Sequence, residues 1–342
     1  MNIVEHYLSR HWRELGLDRL GPCESLSSAI LTPGFQASGH VIFFVFLGRR
    51  PEPVLVAKVP RLAHDHGRLA REAQHLRALQ GLREGGLASI PRLVAFDTWA
   101  GRRILVETTV AGTPMNPAFV RRHDGSCLAA LLAWLIDVHR RSRHAGPGAA
   151  FPHLVEPALE RLERLLAGPA EDGRAILDYR RQTAALGGGG FPLVYEHGDL
   201  GSPNVLVDKA INVGVVDWEL ADMDGPPLGD LFFFLTYVAF ARANARRSGD
   251  CVRAFDAAFF RKDAWTRPYI LHYARQLELD TALIRPLFFA HWCRYVDGLV
   301  QRLTRGDSSD GRPKDQLLDW LRGNRYYALF RHTAAHAHQF VL

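Results

Sequence analysis

Residues 192 to 219 read PLVYEHGDLGSPNVLVDKAINVGVVDWE, and this stretch decides the fold. Two apolar runs, Val205 to Val207 and Val213 to Val216, flank Asp208 to Asn212, the pattern of a β-hairpin. Asn204 stands at the entrance of the first run and Asp217 at the exit of the second, so the hairpin should bring an amide and a carboxylate together. Asp199 lies on the loop leading in, five positions before Asn204. Two hard oxygen donors suit a divalent cation, and the remaining acid can orient and deprotonate a hydroxyl. Each of these residues is also common in plain turns, but then order, spacing and flanking apolar runs would have to coincide.

Outward from this stretch, composition removes several function classes. The chain has 342 residues, enough for one large domain or two lobes. Its 47% hydrophobic and 23% charged residues carry no signature of disorder. A net charge of +6 is spread as isolated arginines and forms no basic block, so a nucleic-acid partner is not expected. The longest apolar stretch, Leu231 to Phe240, is about half of what spans a bilayer and is expected to be a buried helix. The N-terminus MNIVEHYLSRHWREL lacks the pattern of a signal peptide. Cys23, Cys127, Cys251 and Cys293 are scattered without a CxxC pair, which argues against a zinc site or a disulfide framework and fits a cytoplasmic setting.

Apolar spacing predicts an amphipathic helix over residues 1 to 20, with Ile3, Tyr7, Leu8, Trp12 and Leu15 on one face. Strands follow at Ala29 to Thr32, Val41 to Leu47 and Val54 to Val59, then a helix from His64 to Leu82. Two more strands, Ile90 to Phe96 and Arg103 to Glu107, complete a five-stranded antiparallel sheet. Of 42 basic residues only four are lysine, and one of these, Lys58, sits inside an apolar strand. Such a lysine must snorkel or find a partner. Glu72, at the edge of the apolar stripe of the next helix, is the candidate.

Beyond Thr108 the pattern is helical: Ser126 to Arg143, Pro157 to Leu166, Glu171 to Leu186, Leu228 to Ala243, Val252 to Arg261, Ile284 to Leu303 and Gln316 to Phe330. Gly187 to Gly190 precede a strand with no Gly-Lys-Ser/Thr, which excludes a Walker phosphate loop.

With these residues placed, the chain resembles the aminoglycoside phosphotransferase and choline kinase group of small-molecule kinases. The carriers are His197-Gly198-Asp199-Leu200 with Asn204-Val205-Leu206, then Val216-Asp217-Trp218-Glu219 and Gly229-Asp230-Leu231, with Lys58 and Glu72 in the right order before them. The resemblance implies an α+β, protein-kinase-like two-lobed fold: a small antiparallel-sheet N-lobe, residues 1–107, that binds nucleotide, and a larger, mostly helical C-lobe, residues 108–342, with the catalytic loop and acceptor site. It implies a phosphotransferase moving the γ-phosphoryl of ATP, or of GTP, with Mg²⁺ to a hydroxyl of a small molecule. Asp199 would be the base, Asn204 and Asp217 the metal ligands, and Lys58 the phosphate ligand held by Glu72. Glu107 and Thr108 would lie on the hinge that meets adenine through backbone groups. Asp230 would brace the catalytic loop, and the His197 ring would fix its backbone. Ser38, Gly39 and His40 would contact phosphate, although the loop lacks G-x-G-x-x-G.

That missing motif, with no Ala-Pro-Glu after Asp217, argues against a protein kinase, and the intact Lys, Glu, Asp, Asn, Asp set argues against a catalytically silent nucleotide-binding protein. Glu219 could reach the metal, whereas Asp222 and Asp224 read as solvated loop. Trp292, Tyr295, Trp320, Tyr326 and Tyr327 recur at helical spacing and read as core before pocket. His332, His336 and His338 lack an acid neighbour in sequence and read as a surface tail. An excess of arginine in the helices after Leu231 disfavours a polycationic acceptor and leaves sugars, amino alcohols, other antibiotics and anionic metabolites open. The sequence is silent on oligomeric state.

Overall fold

A computed structural model of the chain describes residues 1–23, 25–32, 39–62, 67–81, 89–146, 153–167, 170–187, 190–304 and 314–340. Contacts divide the chain into two compact units. One comprises Met1–Thr113 with Leu206–Ala221, the other Pro114–Val205 with Asp222–Leu342.

In the first unit, Asn2 starts helix α1 (Ile3–His11) through a capping box: its side chain accepts from the N–H groups of Val4 and Glu5, and Glu5 reaches back to the Asn2 N–H. The helix is shorter than its apolar spacing predicts. It gives way to a turn at Gly16, whose φ of 64° is left-handed, and then to a 3₁₀ turn, Leu17–Leu20. Strands β1 (Leu26–Leu31), β2 (His40–Leu47), β3 (Leu55–Pro60), β4 (Leu93–Trp99) and β5 (Arg102–Thr108) form the expected antiparallel sheet, in the order β1-β2-β3-β5-β4.

Strand alternation assigns the two faces. Val45, Ala57 and Val106 point to a core shared with Val4, Tyr7, Leu8 and Trp12 of α1. The opposite face carries Lys58, whose cross-strand partners are Ile42 and Leu105; two residues along those strands are His40 and Glu107. Helix α2 (Gly67–Gly81) buries Leu69, Glu72, Ala73, Leu76 and Leu79, an i, i+3, i+4, i+7, i+10 stripe with one acid in it. The hairpin strand Val205–Val207 pairs with Val213–Val215 and delivers Asp217 to this unit.

The second unit is mostly helical. Helix α3 (Pro117–Ser142) begins nine residues before the predicted start and is kinked at His123. It is followed by α4 (Glu156–Leu166) and α5 (Ala170–Thr183). Helix α6 (Gly229–Arg242) holds the longest apolar stretch and is buried from Gly229 through Ala241, as expected of a helix that is apolar all round. Among the described residues no helix is long and apolar enough to cross a membrane. After a short turn of helix, α7 (Ala245–Ser248), come α8 (Cys251–Phe259), α9 (Arg267–Gln276) and α10 (Ile284–Thr304). The single helix predicted over Gln316 to Phe330 is instead two, α11 (Lys314–Arg322) and α12 (Arg325–Ala335). Gly323 closes the first, and the Asn324 side chain caps the second by accepting from the Tyr326 N–H. Asp222 and Asp224 lie on a strand, Asp222–Gly225, that pairs with Pro192–Glu196, and not on a loop.

Gly229 has a packing reason. A Cβ there would lie 2.2 Å from Oε1 of Glu196, whose other oxygen, Oε2, accepts from Arg294 Nη1 at 2.7 Å. Gly229→Ala should therefore lower stability by about 1–3 kcal/mol, as overpacking does, despite alanine's better helix propensity. A urea midpoint unchanged or raised would show that Glu196 can step aside.

Candidate active site

In the first unit Lys58, 3% exposed, is the hub. Its Nζ is 2.5 Å from Glu72 Oε1 on α2, 2.7 Å from Asp217 Oδ1 after the hairpin, and 4.0 Å from Glu107 Oε1 on the neighbouring strand. Burial alone would discharge the ammonium, but Asp217, Glu72 and Glu107 outweigh it and hold Lys58 well above its ordinary value. The acids bear the opposite strain. Burial pushes Glu107 up to about 8 and raises Glu72, against the pull of Lys58. Glu219, raised to about 7 by burial and by Asp217, sits 3.8 Å from Arg68 and 3.6 Å from His40. His40 is lowered to about 4 by burial and by Lys58, so its imidazole is neutral. Asp217 has φ 69°, a left-handed conformation that Asp and Asn tolerate better than other side chains.

Gly39 accepts the Arg61 N–H through its carbonyl at 2.8 Å, and Ser38 lies outside the described residues. The Thr108 N–H donates to the Arg92 carbonyl at 2.9 Å, which commits that donor within the unit. The Glu107 carboxylate, expected only as part of a backbone hinge, is a buried neighbour of Lys58.

In the second unit Asp230, at the start of α6, accepts the N–H of His197 at 2.7 Å and of Gly198 at 2.9 Å. Burial opposes the carboxylate, yet His139, 3.7 Å away, together with His197 and these backbone donors, keeps it below its ordinary value. His139 is itself held by the Tyr273 hydroxyl at 2.6 Å. The His197 Nδ1 accepts the Asp199 N–H at 3.2 Å. Asn204 then donates its amide to the Asp199 carbonyl at 3.1 Å and to Asp199 Oδ2 at 3.2 Å. The loop is thus fixed at three consecutive residues, His197, Gly198 and Asp199, and Asp199 is left half-exposed.

Glu196, immediately before His197, forms a buried pair with Arg294, which also reaches Asp222 Oδ2 at 3.3 Å. Nothing in the sequence pattern marked Arg294 or His139, since both lie on helices far from the loop. Against Arg294, His291 is lowered to about 3 by burial and by that guanidinium. An unfolded histidine takes up a proton near pH 6.5, so the stability contributed by neutral His291 is complete above that value and lost as pH falls toward 3. His291→Gln should flatten the decline of Tm between pH 6 and 4, and an unaltered slope would count against this origin.

The aromatic residues divide. Trp292 and Tyr327 are core, whereas Tyr295 and Tyr326 are half-buried, with ring centroids 4.9 Å apart and hydroxyls raised by burial and by Asp199. His332 is no surface tail: it meets Asp256 Oδ1 at 3.0 Å and stacks on His336. A cavity of about 340 Å³ is lined by Asn116, Arg121, Tyr237, Asn244, Arg246 and Arg247. Arg246 lies 5.8 Å from the centroid of the Tyr237 ring, so a guanidinium and an aromatic face share this basic cavity.

The donor chemistry fits a hard cation. In the first unit Asp217 offers a carboxylate oxygen; in the second the Asn204 amide nitrogen is engaged by Asp199, which leaves its carbonyl oxygen as an acceptor.

Residues 37–271 match the model of a family described as "Phosphotransferase enzyme family". No curated protein matches the sequence. Among solved structures, the chain is similar to a thermostable mutant of aminoglycoside phosphotransferase APH(4)-Ia in ternary complex with AMP-PNP and hygromycin B, at 15% identity and TM-score 0.54, covering 94% of this chain and 98% of that one. It is similar to aminoglycoside 2'-phosphotransferase-IIIa in its GDP complex, at 15% identity and TM-score 0.54, covering 95% and 99%. It is likewise similar to choline kinase LicA from Streptococcus pneumoniae, at 13% identity and TM-score 0.52, covering 95% and 98%. At such identities the likeness speaks for the fold.

Proposed function

Because this chain belongs to the phosphotransferase enzyme family and is a kinase with an alcohol group as acceptor, we propose that it moves the γ-phosphoryl of ATP, or of GTP, to a small molecule in the cytoplasm. The reading rests above all on Lys58, a buried lysine held between Glu72 and Asp217 at 2.5 and 2.7 Å. A lysine so placed is a fixed positive charge for nucleotide phosphates, and Glu72 sets its position. Residues 1–107 form the nucleotide lobe, with Gly39 and His40, next to Ser38, on the phosphate side and Glu107 and Thr108 on the adenine side. Residues 108–342 carry the catalytic loop and the acceptor site.

Asp199 is the base that orients the acceptor hydroxyl and takes its proton. Asn204 fixes the Asp199 carboxylate, while Asp230 and His197 fix the loop backbone. Asp217 and Asn204 would hold Mg²⁺, which when bound neutralises charge on the transferring phosphate. The four free cysteines support a reducing compartment.

For the acceptor, the cavity lined by Arg121, Arg246 and Arg247 supports a neutral, hydroxyl-rich or anionic molecule over a polycation. ADP and GDP release, followed across a panel of sugars, amino alcohols, hydroxylated antibiotics and hydroxy acids, tests this. Acceptor-dependent release is expected from at least one neutral or anionic class. Release by none, or only by polycations, overturns the reading of the acceptor.

A further inference from the structure

His40 opens β2 on the Lys58 face of the sheet and is 4% exposed, yet its Nδ1 has no hydrogen-bond partner among the described residues. Oε2 of Glu219 is in the same condition. The two atoms face each other at 3.6 Å, beyond a hydrogen bond. Two ligands each about 2.1 Å from one ion, at a tetrahedral angle, lie roughly 3.4 Å apart. A carboxylate oxygen of Asp217 completes the set, and all three donor atoms fall within 4.8 Å of one another.

Charge points the same way. Around these donors stand four carboxylates, Glu72, Glu107, Asp217 and Glu219, against the nearby cations Lys58 and Arg68, with Arg61 farther out. A dication would relieve that excess and would satisfy both unpartnered buried atoms at once.

We propose that His40, Asp217 and Glu219 form a three-donor site for a divalent transition-metal ion, which loads before nucleotide binds. The imidazole nitrogen sets its chemistry: one nitrogen with two carboxylates favours Mn²⁺, Co²⁺ or Zn²⁺ over Mg²⁺, which prefers oxygen alone. The proposal deepens the functional reading because it shares Asp217 with the magnesium pair, and it makes His40 a metal ligand and not a direct phosphate contact.

The test uses the full chain without nucleotide and Mn²⁺ as probe. Continuous-wave electron paramagnetic resonance counts bound Mn²⁺, and pulsed measurements detect a coupled ¹⁴N nucleus. One bound Mn²⁺ with ¹⁴N modulation is expected, with a hundredfold excess of Mg²⁺ failing to displace it. His40→Gln should abolish the modulation and weaken binding at least tenfold, and Glu219→Gln should weaken binding similarly while the modulation persists. His332→Gln should change neither. Bound Mn²⁺ without nitrogen coupling in the unaltered chain, or coupling that vanishes in His332→Gln, overturns the proposal, and neither outcome depends on how the His40 variant folds. Phosphoryl transfer is scored separately: transfer without the nitrogen-coupled ion removes this site alone, and the ion without transfer removes the kinase role of Asp217 alone.

Discussion

Asp199→Asn is expected to lower kcat by about 10²–10⁴-fold, the range for loss of a positioned general base, and to leave nucleotide affinity within about twofold. The geometry makes the separation possible. The loop backbone is held by Asp230 and His197, neither of which uses the Asp199 carboxylate. The neighbouring Asn204 also donates to the Asp199 carbonyl, a contact that survives the substitution. Steady-state kinetics on the true acceptor, paired with calorimetric titration of nucleotide, reads both quantities. Near-normal turnover would mean that another group takes the proton, and loss of nucleotide binding with activity would make Asp199 a structural acid.

Asp217 gives the second large effect. Its replacement should abolish the Mg²⁺-dependent part of nucleotide binding, a loss beyond the roughly 10–100-fold typical of outer-shell partners of a metal. The choice of variant matters, because Asp217 has φ 69°. Alanine in that conformation adds backbone strain to the loss of charge, whereas asparagine tolerates it and isolates the charge. Asp217→Asn also removes one of the acids around Lys58, leaving the lysine with Glu72 and Glu107. Calorimetry with and without Mg²⁺ decides the point. Titrations that match those of the unaltered chain would take Asp217 out of the metal site.

What the sequence disclosed was local. The hairpin around Asp208 to Asn212 declares itself by two valine-rich runs, and Lys58 by being a lysine inside an apolar strand. Glu72 follows because three and four residues bring a side chain back to the same helix face. What it withheld was register. Whether the Glu107 carboxylate meets Lys58 depends on which residue of β5 lies opposite which residue of β3, and neither strand encodes that alone. Arg294 lies 98 positions from Glu196, and His139 is one of several histidines on helices; only tertiary packing selects them. Two helix boundaries are written in the sequence itself. Gly323-Asn324 is a stop signal followed by a cap, and Arg267-Pro268 sits where proline begins a helix, the start of α9. Apolar continuity across the first, with Leu317, Leu318 and Leu321 before it and Leu329 after, and the lack of a long apolar run after the second, conceal them.

The carboxylate of Asp230 ties two loop amides, those of His197 and Gly198, to the helix that is buried along nearly its whole length. Isotope exchange would register this attachment directly. Surface loops normally trade their amide protons through small local openings, but these two can do so only when α6 leaves its surroundings. They should therefore exchange on the timescale of α6's own amides, so that the loop bearing Asp199 inherits the persistence of the interior.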